Sequence, residues 1–141
     1  MFKFFCLIFT SIKENYYIFQ KIINLKKIKP KYLFYSENQT YQKYAYLLIK
    51  TLAKKSSSKV YYVSSEFEDK ILIPNVENFF IGKGLLINIF FTFISAKNIF
   101  LTLTDLDNHT IKKNKKVDNY IYFFHAPLST TKIYTATAFD N

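Results

Sequence analysis

The chain has 141 residues, which is enough for one domain with a hydrophobic core and too few for two. Half of the residues are hydrophobic, which excludes a fully disordered chain, and the one cysteine, Cys6, excludes an internal disulfide and a cysteine-rich metal site. The formal net charge of +10 comes from lysine alone, and because arginine, the usual reader of guanine and phosphate, is absent, we expect no nucleic-acid partner.

Residues 1–30 are predicted to form an amphipathic helical segment that precedes the main domain. Its opening, MFKFFCLIF, is apolar but far shorter than the ~20 residues of a membrane-spanning helix, and no small-residue cleavage site follows it. Four lysines lie toward the end of the segment: Lys21, Lys26, Lys27 and Lys29. This pattern is typical of a helix that lies on an anionic bilayer. The alternative is a helix that packs on a part of the protein that this chain lacks.

From Lys31 onward, short β-rich runs alternate with helical ones. Strands are predicted at five apolar runs: residues 32–35, 60–63, 78–81, 98–104 and 120–124. Helices are predicted over residues 40–55 and within 82–96, and residues 64–72 read as a short polar helix or turn. Apolar strands separated by helices predict βαβ units. We therefore expect an α/β fold for residues 31–141, with a doubly wound parallel sheet of about five strands.

Ligands of doubly wound sheets bind beyond the carboxyl ends of the strands, and four polar loops are predicted there: SENQ, IGKG, TDLDNH and HAPLST. In IGKG, Gly82 and Gly84 flank Lys83 at the start of a helix. Glycine lets the backbone approach an anion, and the helix terminus offers free N–H groups to it. Asn88 stands where a dinucleotide fingerprint needs its third glycine, so a phosphate contact is the functional interpretation and a tight turn the alternative.

The loop after the fourth predicted strand carries Asp105 and Asp107. Two carboxylates at this spacing are candidates for a divalent ion that bridges nucleotide phosphates. Because three-residue patterns of this kind arise often by chance, a solvated turn is the simpler explanation. We expect no metal and no cofactor.

His125 follows the fifth predicted strand, directly after Phe123 and Phe124. Partial burial in such surroundings would keep the imidazole neutral and able to accept a proton near pH 7. Ser129 and Thr130 follow it, where they can cap the next helix or contact phosphate. A structural histidine bonded to the backbone is the alternative.

Four stretches, taken in order, resemble the amino-terminal half of the CDP-glycerol glycerophosphotransferase family: YYVSSEFEDKI, ENFFIGKGLLINIFFT, IFLTLTDLDNHTIKK and YIYFFHAPLSTTKIYTATAFDN. The resemblance runs from about Lys31 to the last residue. It implies the Rossmann-like, acceptor-side domain of a two-domain GT-B transferase that builds poly(glycerol phosphate) of teichoic-acid type. It also implies a truncated copy, because the second domain, which holds most of the CDP-glycerol, is absent.

The segment HAPLS, residues 125–129, is similar in part to the family's WHGTPLK segment, whose histidine is the proposed catalytic base. Phe124 replaces the tryptophan, Ala126 replaces the glycine, and Ser129 stands where the lysine would be. One residue is also missing before the proline. The resemblance implies that His125 removes a proton from the acceptor hydroxyl as it attacks the donor β-phosphate, with CMP leaving.

The partners implied are CDP-glycerol or a related CDP-alditol, a polymer acceptor and an anionic membrane surface. The implied location is the cytoplasm, peripheral to the inner face of the cell membrane. Two other functions stay open: a non-catalytic membrane-associated or partner-binding module, and a metal-dependent nucleotide-sugar glycosyltransferase that uses Asp105 and Asp107.

Overall fold

A computed structural model describes residues 2–103, 106 and 111–123 of the chain, with side chains described from residue 14 onward. In chain order the helices and strands are α1 (Phe2–Ile28), β1 (Tyr32–Ser36), α2 (Gln39–Lys55), β2 (Val60–Ser64), β3 (Val76–Phe80), α3 (Leu85–Phe93), β4 (Ala96–Leu101) and β5 (Val117–Tyr122). Of residues 64–72, Ser64 is the last residue of β2, and the rest contain a turn and no regular helix.

The strands form one five-stranded sheet in the order β3-β2-β1-β4-β5, and every neighbouring pair is parallel. The predicted α/β fold is thereby confirmed, and the sheet is Rossmann-like. The strand order reverses between β1 and β4, which are neighbours in the sheet although far apart in the chain. In open α/β sheets this reversal point is where ligands bind.

Helices cover both faces of the sheet, which gives three layers. One face packs under α1 and α3, whose buried residues include Ile22 and Phe90. The other face packs under α2 through a cluster that contains Phe34 and Phe100. These two rings stack with centroids 4.4 Å apart, and so join β1 to β4 at the reversal point.

The start and the face of α2 follow from its sequence. The Asn38 side chain accepts a hydrogen bond from the backbone N–H of Thr40 at 2.9 Å, which caps the first turn. Ala45, Ile49 and Ala53 are buried, and their spacing of four residues places them on one side of the helix. The small alanines let α2 lie close to the sheet.

The second half of α1 packs against the domain formed by the rest of the chain. Ile18, Ile22 and Leu25 are buried in the same cluster as α3 and the sheet. Phe19 adds an edge-to-face contact with Phe93 of α3, with ring centroids 6.3 Å apart. The apolar side of this half is therefore covered by the chain itself. Among the described residues, none of the helices combines the length and the apolar character that crossing a bilayer requires.

Strand β5 begins three residues before its predicted start. Val117 is buried and pairs with Ala96, whereas the next two residues, Asp118 and Asn119, are exposed. A strand at the edge of a sheet tolerates polar side chains on its open side, so its apolar pattern is shorter than the strand itself.

Candidate functional site

The loops that follow the carboxyl ends of β1 to β4 form one edge of the sheet. We call it the carboxyl edge and define it by residues 36–38, 64–69, 81–84 and 102–103. Parallel strands bring these loops together although they are distant in sequence. Gly82, Lys83 and Gly84 lie on this edge, as predicted from the sequence.

A row of hydroxyl groups crosses three neighbouring strands at the carboxyl edge. Ser36 pairs with Ser64 in the β1–β2 register. Tyr35 of β1 pairs with Leu101 of β4. Extending this register by one residue places Thr102, which follows β4, beside Ser36. Phe34 and Phe100, two residues earlier, face α2, and strand alternation assigns Ser36 and Thr102 to the same face. The row therefore lies under the start of α2.

Two hydroxyls of the row have partners and the third has none. Ser36 donates to the backbone oxygen of Asn38 at 2.8 Å, and Ser64 donates to Asp69 at 2.6 Å. Thr102 is 2% exposed, and among the described residues its Oγ1 is the buried side-chain polar atom that has no hydrogen-bond partner. An unpaired buried hydroxyl costs about 1–3 kcal/mol. A ligand oxygen beside Thr102 would remove that cost.

Asp69 anchors the loop after β2, a role that was not predicted from the sequence. Its buried carboxylate accepts hydrogen bonds from the Tyr62 hydroxyl at 3.0 Å to each oxygen, from Ser64, and from the Gln42 amide at 3.0 Å. These partners come from β2 and α2. Asp69 therefore fixes the loop to the strand and to the helix beside the hydroxyl row.

Tyr35 of β1 and Tyr62 of β2, close to the carboxyl edge, are held in the neutral, protonated form. Burial, the largest cause, raises the pKa of Tyr62 well above its usual value, and the nearby Asp69 carboxylate adds to the effect. Burial also raises the pKa of Tyr35, whose hydroxyl lies 2.9 Å from Ser65 Oγ. Both groups act as structural hydrogen-bond partners and not as bases.

Gly82 and Gly84 are required by the shape of the turn before α3. Both have positive φ, 75° and 64°, which residues with a Cβ seldom adopt. A Cβ at Gly82 would also lie 2.8 Å from Leu86 Cδ1, whereas one at Gly84 would meet nothing within 4 Å. The turn alone accounts for these glycines, and the space beside Gly84 leaves the start of α3 open.

Lys83, the predicted phosphate contact, has an anionic partner within the chain. Its Nζ lies 3.2 Å from Oε1 of Glu66. The other oxygen of Glu66 accepts from the backbone N–H of Gln39, at the start of α2, at 3.3 Å. This N–H is the first cause of the lowered pKa of Glu66, and Lys83 is the second. The carboxylate thus occupies the position at the start of α2 where a phosphate would bind.

Beside this pair is an open cleft of about 400 Å³. It is lined by Ser65, Glu66, Phe67, Glu68, Phe80, Gly82 and Lys83. The cleft joins the loops after β2 and β3, and an entering anion would have to displace Glu66 to reach both Lys83 and α2.

The remaining predicted site residues lie outside the described part of the chain: His125, Asp105, Asp107, Ser129 and Thr130. Within the described part, no group of three or more His, Cys, Asp or Glu side chains is arranged to hold a metal ion.

Comparisons of the chain with protein-family models, with curated proteins and with solved structures give no match. The sheet topology and the residues of the carboxyl edge are therefore the basis for a functional proposal.

Proposed function

We propose that the chain is the acceptor-side domain of a transferase that moves glycerol phosphate, or a similar alditol phosphate, from a CDP donor to a surface polymer. The observation that carries this proposal is the reversal of strand order between β1 and β4, with polar loops gathered at its carboxyl edge. The Rossmann-like fold agrees with the first domain of a GT-B enzyme, and the four resembling sequence stretches supply the substrate class.

The unpaired hydroxyl of Thr102 supports a ligand at this position. It is buried next to Ser36, on the α2 side of the reversal point. Ligands in folds of this kind bind in the crevice outside the strand ends. A phosphate or hydroxyl oxygen of the acceptor would accept a hydrogen bond from Thr102.

In the proposed reaction, neutral His125 takes the proton of the acceptor hydroxyl as its oxygen attacks the β-phosphorus of the donor. The new P–O bond forms, the bond between the two phosphates breaks, and CMP leaves with its electron pair. Loss of a general base lowers a rate by about 10²–10⁴-fold. In a complex that turns over, His125→Ala should show such a loss. His109→Ala should not, because the other histidine of the chain belongs to the lysine-rich stretch after the fourth predicted strand and matches no catalytic residue of the resembling family.

The test on this chain is equilibrium binding of a glycerol phosphate oligomer to the wild type and to Thr102→Val, measured by calorimetry. Valine keeps the shape and removes a hydroxyl that has no hydrogen-bond partner in the described part of the chain, so folding should be unharmed. We expect affinity to fall about 2- to 10-fold, the value of one hydrogen bond. Thr92→Val is the matched control, since Thr92 is exposed on α3.

Equal affinity of Thr102→Val and the wild type would place the ligand elsewhere. CMP release from CDP-glycerol by the purified chain alone would contradict the two-domain mechanism, in which both domains build the site. Absence of any oligomer binding would favour the second candidate function.

That second candidate is a non-catalytic binding module, and the charge of the carboxyl edge favours it. Four carboxylates lie there, from Glu37, Glu66, Glu68 and Asp69. Lys83, which is paired with Glu66, and the adjacent Lys70 offset them only in part. Such an edge disfavours an anionic substrate, so binding measurements on the wild type discriminate between the two candidates.

A further inference from the structure

The lysines of the chain gather at the edge opposite the proposed ligand site. We call this the amino edge and define it by the ends of α1 and α2 and by the residues at the starts of β1, β2, β4 and β5. Ten of the 20 lysines lie there: Lys26, Lys27, Lys29, Lys31, Lys54, Lys55, Lys59, Lys97, Lys115 and Lys116. The fold brings them together from separate segments.

Five of these lysines line one cleft of about 690 Å³, together with a single acidic residue, Asp118. The five are Lys26, Lys27, Lys29, Lys97 and Lys116. The ion pairs found among the described residues are Lys59–Glu77 and Lys83–Glu66, so none of the five ammonium groups is neutralised by a paired carboxylate there. The cleft is a concentrated positive surface.

Charge therefore changes sign along the strands. Among the described residues, the carboxyl edge holds four carboxylates and Lys83, with Lys70 next to it, whereas the amino edge holds ten lysines and Asp118, with Glu77 of β3 next to it. A domain polarised in this way binds an anionic surface in one preferred orientation.

We propose that the amino edge docks on an anionic lipid bilayer and holds the carboxyl edge away from the lipid. Two exposed apolar side chains lie among the lysines: Ile28 follows Lys27, and Phe93 has the Lys26 ammonium 5.4 Å from its ring centroid. Ile28 is 48% exposed and Phe93 41%. Lysine combined with exposed apolar side chains is typical of a membrane-surface contact.

This docking does not use the apolar side of α1, since Ile18, Ile22 and Leu25 are buried in the domain. The absence of arginine disfavours nucleic acid, whose phosphates and bases arginine reads best. The inference goes beyond the proposed function and holds for a transferase domain or for a binding module.

The first test is cosedimentation of the full chain with phosphatidylcholine vesicles that contain phosphatidylglycerol. Each lysine near an anionic surface strengthens binding by about fivefold. Lys97→Gln/Lys116→Gln should therefore lower partitioning about 25-fold. Lys43→Gln/Lys50→Gln removes the same charge from exposed positions on α2 and should change partitioning much less. Added salt should weaken wild-type binding.

The second test reports orientation, and it uses the fact that the chain has no tryptophan. Ile28→Trp places a fluorescent reporter at the amino edge, and Phe67→Trp places one at the carboxyl edge, where Phe67 is 60% exposed. We expect anionic vesicles to shift the emission of the first reporter to the blue and to leave the second unchanged.

Three results of the vesicle experiments would overturn the proposal. They are equal loss of binding in both double variants, a blue shift confined to Phe67→Trp, and equal binding to vesicles of phosphatidylcholine alone. Binding to single-stranded RNA with no binding to anionic vesicles would also overturn it, in favour of nucleic acid.

Discussion

The Glu66 carboxylate lies between the Lys83 ammonium, 3.2 Å away, and the first backbone N–H of α2, 3.3 Å away. One side chain thus ties the loop after β2 to the loop after β3 and to the helix after β1. The Glu66 carboxylate thus occupies the position at the start of α2 where the phosphate of a ligand would bind. Ligand binding at this edge is therefore expected to compete with an interaction of the chain itself.

The first prediction concerns pH. The pKa of Glu66 is lowered in the folded chain from its ordinary 4.5, so the ionised form is favoured by folding. Its contribution to stability is present above pH 4.5 and is lost as the pH falls through the folded pKa. The stability advantage of the wild type over Glu66→Gln should thus shrink on acidification, as measured by urea unfolding at several pH values. An advantage that grows in acid would contradict this account.

The same residue allows a direct comparison of the two causes of the shift. The hydrogen bond from the Gln39 N–H is the largest single cause, and Lys83 lowers the pKa both through its hydrogen bond and through its charge. Lys83→Gln removes the second and leaves the first, so it should raise the Glu66 pKa only partly toward 4.5. Side-chain carbon NMR titration would measure this change. A full return to 4.5 would mean that the start of α2 does not hold the carboxylate.

The second prediction concerns Asp69. Asn at this position cannot accept hydrogen bonds at both side-chain atoms, so buried donors such as Tyr62 and Ser64 lose an acceptor. We expect Asp69→Asn to lower the free energy of unfolding by about 2–3 kcal/mol. Glu68→Gln, one residue earlier and exposed, should stay within about 0.5 kcal/mol of the wild type. Similar losses in both variants would argue against the buried network.

The third prediction concerns the docking of α1. Ile22 is 1% exposed and lies in the core with α3, so Ile22→Ala should cost about 2–5 kcal/mol in chemical denaturation. Ile28→Ala, with its side chain 48% exposed on the same helix, should cost far less. If both variants unfold with the stability of the wild type, α1 is not part of the cooperative unit.

The fourth prediction separates the two glycines before α3. Both have positive φ, so alanine at either position is strained by about 1–2 kcal/mol. Gly82→Ala should cost more than Gly84→Ala, because its Cβ would lie 2.8 Å from Leu86, whereas Gly84 borders open space. Thermal unfolding of the two variants would show the order, and the reverse order would mean that the turn is shaped differently.

The fold was largely predictable because its strands are apolar runs and its helices have clear apolar faces. Val60 to Val63 and Tyr32 to Tyr35 are predicted strands that the structure contains. The start of β5 was missed because Asp118 and Asn119 are exposed polar residues of an edge strand. Hydropathy identifies buried strands better than half-exposed ones.

For the site, the sequence predicted the edge of the sheet on which it lies but not the contacts within it. The position of Lys83 follows from strand order, but its pairing with Glu66 depends on two loops meeting in space. The sequence did not identify Thr102 as a site residue, because its distinguishing feature is a buried hydroxyl that has no hydrogen-bond partner among the described residues. Likewise, the ten lysines of the amino edge are scattered along the chain and converge only in the folded sheet.

The most direct test of the central claim is a map of amide chemical shifts as a glycerol phosphate oligomer is titrated into the ¹⁵N-labelled chain. We expect the perturbed amides to cluster at the carboxyl edge, around Ser36, Gln39, Gly84 and Thr102, and the amino ends of β4 and β5 to stay unchanged. Perturbations confined to the amino edge, around Lys97 and Lys116, would show that the oligomer binds the lysine surface and would contradict a ligand site at the strand reversal.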